Sequence, residues 1–263
     1  MDCYEASPTI REVVLRDNFA RYGGGGMECH TQSSPELTNV IFLHNSTRGG
    51  DIAGGGALYC CYGSRPVLTD CLFEGSTSYR WGGAIHCRNA SPYFTGCTIA
   101  NNSSDTYAGG VWFHECSPAF TNVTFYGNSA PNASDIYGTS HEAGWVATFD
   151  NVIVASGKLS RSVGLGYQAG AVFTCCNIYG NEVDDWPSEI QDQYGIRGNF
   201  SACPSFCFAD MGDFHLCDES PCLPGNHPDG YDCGLIGAWG EGCSCGPTRT
   251  QPATWGAIKS LYR

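Results

Sequence analysis

The sequence predicts an all-β chain wound into one repetitive parallel solenoid with a cysteine-rich C-terminal end. Three observations carry this expectation: a composition poor in helix formers, a recurring Ser-Pro unit, and a strand-like alternation inside each unit. The 263 residues include 35 glycines and are 15% charged, whereas an average globular chain has roughly 7% glycine and about 25% charged residues. Lys158 and Lys259 are the only lysines, so the Ala/Leu/Glu/Lys background that favours helix is thin.

The unit begins at Ser7-Pro8-Thr9-Ile10 and returns at Ser34-Pro35-Glu36-Leu37, Arg65-Pro66-Val67-Leu68, Ser91-Pro92-Tyr93-Phe94 and Ser117-Pro118-Ala119-Phe120. Degenerate copies follow at Phe149 and Phe173. Counting between the apolar markers gives steps of 24 to 31 residues, the signature of a solenoid with loops of variable length. Three residues after each marker comes Val13, Val40, Cys71, Cys97, Val123, Val152 or Cys176, with another apolar residue two further on. A step of two is the period of a strand with one buried face. Eight residues after the marker lie Asn18, Asn45, Asn102, Asn128 and Asn181, which predict an asparagine ladder at a turn, with these residues themselves in the left-handed region.

A second strand precedes each Ser-Pro, at Met1-Asp2-Cys3, Met27-Glu28-Cys29, Leu58-Tyr59-Cys60 and Ile85-His86-Cys87, the last three introduced by glycine doublets. Stacking these copies in register places like on like, about 4.8 Å apart, as parallel strands require. Three short strands per turn without helical crossovers describe a right-handed parallel β-helix. Its inner column Cys3, Cys29, Cys60 and Cys87 is expected to be small buried hydrophobes rather than disulfides.

Gly82-Gly83-Ala84-Ile85, with Phe42-Leu43-His44-Asn45 and Phe125-Tyr126-Gly127-Asn128, resembles the repeats of polymorphic outer-membrane adhesins. The coil over residues 1–181 resembles the pectin-lyase-like superfamily, whose fold hosts lyases, hydrolases, adhesins and spacers. From Thr174 to Asn181, and on through Ser220-Pro221-Cys222 to Cys233-Gly234-Leu235-Ile236, the chain is similar to the closing coils of secreted bacterial β-helix proteins. That likeness implies one β-helix over 1–243, with repeats to 181 and cysteine-rich closing coils over 182–243, and a bacterial, exported origin. The last residues, 244–263, read as a tail in which Trp255, Ile258, Leu261 and Tyr262 suit a short capping helix.

Seventeen cysteines indicate an oxidising compartment, extracellular or at the cell surface. The N-x-S/T sites at Asn45, Asn89, Asn101, Asn102, Asn122, Asn132 and Asn199 are better explained by turn chemistry than by glycosylation. Seven cysteines between Cys203 and Cys245 predict a disulfide-stapled end cap, since they lack the paired CxxC spacing and histidines of a zinc module. No apolar run is long enough to span a bilayer and no signal peptide is visible; because Met1 enters in mid-coil, the chain is expected to be truncated at its N-terminus and to associate end to end through uncovered strand edges. A net charge of −13 without a basic stripe argues against nucleic acid and against polyanions, unless Ca2+ intervenes; no other cofactor and no metal site is implied.

The outward residues of the second strand type are Asp2, Glu28, Tyr59, His86 and then Trp112 or Phe113, flanked by Arg88 and His114. A column of aromatics, imidazoles, a carboxylate and an arginine at one-coil spacing suits a polysaccharide or cell-surface glycan lying along the axis. The carbohydrate-binding candidates are therefore Glu28, Tyr59, His86, Arg88, Phe113 and His114. No catalytic residue is assigned. Asp184-Asp185 lacks the further motifs of polygalacturonase-like hydrolases, Arg80 and Arg88 lack an acidic triad, and Glu28 and His86 should stand about 10 Å apart, two rungs of the sheet. The predicted function is a non-catalytic binding domain, with a lyase or glycosidase, and an inert spacer, as the alternatives.

Overall fold

A computed structural model describes residues 1–49 and 54–245. Within them each coil contributes one strand to each of three parallel sheets, seven strands apiece. The first sheet climbs from Asp2–Tyr4 through Met27–His30, Leu58–Cys61, Ile85–Arg88, Val111–His114 and Ile136–Ser140 to Val163–Tyr167. The second runs from Thr9–Arg11 to Gly170–Thr174 and the third from Val14–Arg16 to Asn177–Tyr179. A fourth, two-residue strand per coil joins Phe19–Ala20, Ser46–Thr47, Thr77–Ser78 and Ser103–Ser104.

The register follows the apolar markers. Ile10, Leu37, Leu68, Phe94, Phe120, Phe149 and Phe173 pair one above the next and are all buried. The rings of Phe94, Phe120, Phe149 and Phe173 stack at centroid distances of 4.8, 4.9 and 4.6 Å, because in-register parallel strands impose one spacing on every identical side chain. In the first sheet Cys3, Cys29, Cys60 and Cys87 form the expected column of buried free thiols. Glycine is required at the corners: a Cβ on Gly56 would run into the carbonyls of Gly83 and Thr77.

The asparagine ladder lies inside the corner. Asn102 accepts the Ser76 N–H at 2.8 Å and donates to the Phe73 carbonyl at 3.0 Å and to Asn128 Oδ1 at 3.1 Å. Contrary to the expectation, the left-handed residue is the one before each ladder position: Asp17, His44, Asn101 and Ser156 have φ of 54°, 52°, 56° and 57°, and Gly75, Gly127 and Gly180 stand at the equivalent places. The turn is thus made by one residue and its orphaned backbone groups are satisfied by the next. Asn45, Asn102 and Asn199 are buried, which removes them as glycan acceptors.

The C-terminal region differs from a stapled end cap. Trp186 and Ile190 close the lower end of the core, with Trp186 against Phe173 at 5.9 Å. The cysteine-rich segment instead folds back along the outside of the third sheet as a strap. Asn151 donates to the Cys233 carbonyl at 2.9 Å, the Ala238 N–H donates to Thr124 Oγ1 at 3.0 Å, and the Trp239 indole donates to Thr98 Oγ1 at 2.7 Å. Ile153, Leu216, Cys222 and Ile236 form a second apolar cluster beneath it. Among the described residues the disulfides are Cys175–Cys233, Cys207–Cys243 and Cys217–Cys245, so most of the C-terminal cysteines are paired as expected, while one partner, Cys175, comes from the last coil. The predicted helix around Trp255 to Tyr262 lies outside the described residues.

Candidate carbohydrate-binding face

Alternation along the first sheet sends two columns of side chains outward. The first is Asp2, Glu28, Tyr59, His86, Trp112 and Tyr137; the second is Tyr4, His30, Cys61, Arg88, His114 and Thr139. Five of the six expected residues therefore share this face. Phe113 does not: it pairs with Cys87, points inward and is 1% exposed. Matching the doublet Gly109-Gly110 to Gly82-Gly83 would put Phe113 level with His86, but Ala84 takes the place of Gly110, so Val111 stands beside Ile85 and Trp112 beside His86.

The middle of the face is closed by its own rings. Tyr59, His86 and Trp112 are only 8%, 1% and 7% exposed. His86 lies 4.6 Å from Tyr59 and 4.7 Å from Trp112, and Trp112 is sandwiched between Trp81 at 5.1 Å and His114 at 5.6 Å, both within 16° of parallel. Among the described residues neither ring nitrogen of His86 has a hydrogen-bond partner, and burial, with smaller repulsions from Arg88 and His114, holds its pKa down to about 3. It is therefore a neutral packing residue that cannot donate a proton near neutrality. Burial likewise raises the Tyr59 phenol above its ordinary range.

Accessible chemistry remains on either side of this plug. Above it, half-buried Glu28 is pushed upward by burial, and His30 Nε2 meets Asp2 Oδ1 at 3.0 Å. Below it, Arg88 is exposed, His114 Nδ1 meets Thr139 Oγ1 at 2.9 Å, and Asn89 donates to Glu115 at 3.1 Å. His114 leads to His141 at 5.5 Å and His141 to Tyr167 at 5.0 Å, a residue 82% exposed. Burial lowers the His114 pKa against the opposing pull of Glu115. The lower half can stack on one face of a ring and offer imidazole, guanidinium and hydroxyl groups to its edge.

The sequence reading missed Trp81, His141 and Tyr167. Trp81 and Tyr107 each stand at the turn before a glycine corner and bridge across adjacent coils. That recurrence was a usable signal; the contribution of His141 and Tyr167 depends on longer strands in the later coils. The Asp184-Asp185 pair is structural on one side, because Asp185 accepts from Asn181 N and Nδ2, both at 2.8 Å. Glu28 and His86 are separated by the Tyr59 rung, as two-rung spacing implies.

Compared with models of known families, residues 4–154 match that of the right handed beta helix region. No curated protein and no solved structure matches the chain. Among the described residues no helix is long and apolar enough to cross a membrane.

Proposed function

Since the chain belongs to the right-handed β-helix family, we propose that it is a non-catalytic module of a bacterial exterior that binds a glycan along the outer face of its first sheet. The observation that carries the proposal is the polar and aromatic surface running from Arg88 through His114 and His141 to exposed Tyr167, a length of several coils on a rigid sheet. Three disulfides suit an exported location. A charge of −13 favours neutral or cationic glycans over polyanions. Neutral His86, sealed under Tyr59 and Trp112, speaks against the acid–base chemistry of a glycosidase at the centre of this face.

The test is a glycan array run beside reducing-sugar and unsaturated-product assays. Binding without product, weakened several-fold by Arg88→Ala, His114→Ala or Tyr167→Ala, is expected. Product formation would move the protein to the lyases or glycosidases, and silence in every assay would leave a spacer. End-to-end association, through strands Asp2–Tyr4, Thr9–Arg11 and Val14–Arg16 that are each paired on one side, is tested separately by light scattering.

A further inference from the structure

A second concavity lies far along the chain from the glycan face, where the strap leaves the outer surface of the third sheet. It has a volume of about 440 Å³ and lies between Tyr126 and Tyr179 of that sheet and the loop carrying Cys203, Phe206, Phe208 and Asp210. That volume falls in the range of small-molecule sites, roughly 300–1,000 Å³. Its walls are preformed. The Cys207–Cys243 disulfide anchors the loop, and Phe206 packs edge-on against Tyr126 at 5.7 Å. The Tyr126 hydroxyl donates to Asp210 Oδ1 at 3.0 Å, fixing a carboxylate beside the rings. Phe208 and Tyr179 remain exposed, so apolar surface at the rim is uncovered.

Rings alone would suit any apolar ligand; the carboxylate narrows the choice. Among the described residues no lysine or arginine lines the concavity, and the chain carries a net charge of −13, so the local field attracts cations. Aromatic faces gathered around a void with an anion at the edge are the arrangement that recognises quaternary ammonium groups, through cation–π attraction and low cost of desolvation. We propose that this pocket binds a small methylated ammonium ion of the choline type. Asp210 supplies the counter-charge, and Phe208, Tyr126 and Tyr179 supply the ring faces. A phosphate on the ligand would be repelled by the same carboxylate.

Choline, phosphocholine and the uncharged alcohol in which carbon replaces the choline nitrogen are titrated by calorimetry into the full chain. Saturable choline binding is expected, at least about tenfold tighter than that of the neutral alcohol and tighter than that of phosphocholine. Asp210→Asn and Phe208→Ala, both at exposed positions, should each weaken it about tenfold, whereas Arg88→Ala on the first sheet should leave it unchanged. A readout independent of the variants is the rate at which iodoacetamide alkylates Cys203, the exposed free thiol on the pocket wall; saturating choline should slow it. Equal affinity for the neutral alcohol, preference for phosphocholine, indifference to both substitutions, or an unchanged Cys203 rate would each overturn the proposal.

Discussion

Phe113 and Gly138 are partners on adjacent rungs of the first sheet, and the Phe113 ring fills the space that a Gly138 side chain would need. This exchange of volume explains how an aromatic residue can follow the four stacked cysteines Cys3, Cys29, Cys60 and Cys87 in that column. Gly138→Ala should therefore cost about 1–3 kcal/mol through overpacking. Phe113→Leu in the same chain should recover part of the loss, since the two positions share one volume. Urea midpoints of the two single variants and the double variant measure the coupling, and strict additivity would remove the explanation.

Neighbouring asparagines should respond in opposite ways. Asn102→Ala strands the Ser76 N–H and the Phe73 carbonyl in the interior, so a loss of about 2–6 kcal/mol is expected, the sum of two buried unsatisfied groups. Asn101 is exposed with φ of 56°, a conformation that glycine adopts without strain. Asn101→Gly should leave the thermal midpoint nearly unchanged. Equal sensitivity at the two positions would mean that the ladder carries no stability.

Legibility in the sequence tracked periodicity. The second-sheet register was readable from Ile10 to Phe173 because one apolar marker recurs on every coil and a one-residue slip would turn it outward. At Trp112 and Phe113 two aromatics stand side by side and the glycine doublet shifts by one, so the pattern alone left both open. Five of the six candidate residues share one face and Phe113 turns inward, but alternation reports only direction; that Trp81 and Trp112 would stack on each other follows from corner geometry. The strap was not readable, because residues 203–245 have no repeat and Cys233 finds its partner at Cys175 in the solenoid.

Asp135 and His86 should bend the pH dependence of stability in opposite directions. Asp135 is buried, its carboxylate accepts from Ser134 Oγ and Asn128 Nδ2, and burial raises its pKa from 3.8 to about 7 against those bonds. Between those values the folded chain keeps a proton that the unfolded chain releases, so stability falls as pH rises through this window. His86 is depressed from 6.5 to about 3, so the unfolded chain binds the extra proton and stability falls as pH drops through that window. Asp135→Asn should remove the loss toward pH 7, and His86→Phe the loss toward pH 4. His86→Phe should also stabilise at every pH, since it deletes two unpartnered buried nitrogens. Denaturation midpoints from pH 4 to 8 check both; parallel curves for the variants and the parent would exclude these residues as the source.

The strap and the solenoid should separate on reduction. Cys175–Cys233 closes 58 residues and ties the strap to the last coil, a cross-link worth about 4 kcal/mol in the chain-entropy account. The remaining attachments are non-covalent: the second apolar cluster and hydrogen bonds such as the Trp239 indole on Thr98, the Ala238 N–H on Thr124 and the Asn122 amide on the Leu235 carbonyl. The coils have no such dependence, because their cysteines other than Cys175 are free, buried and, at Cys60 and Cys97, held well above the ordinary range chiefly by desolvation. Cys203, free and exposed, should be labelled by iodoacetamide before any reduction, and mild reduction followed by iodoacetamide and mass spectrometry should add Cys175, Cys207, Cys217, Cys233, Cys243 and Cys245. It should also label Cys222, which is buried under the strap with its pKa pushed up to about 12 and becomes reactive only when the second apolar cluster opens. Cys60 and Cys97 should stay unlabelled and the β-sheet circular dichroism should persist. Labelling of the inner column at the same rate would show that the strap holds the coils together; an unlabelled Cys222 would show that the apolar cluster holds the strap without its disulfides.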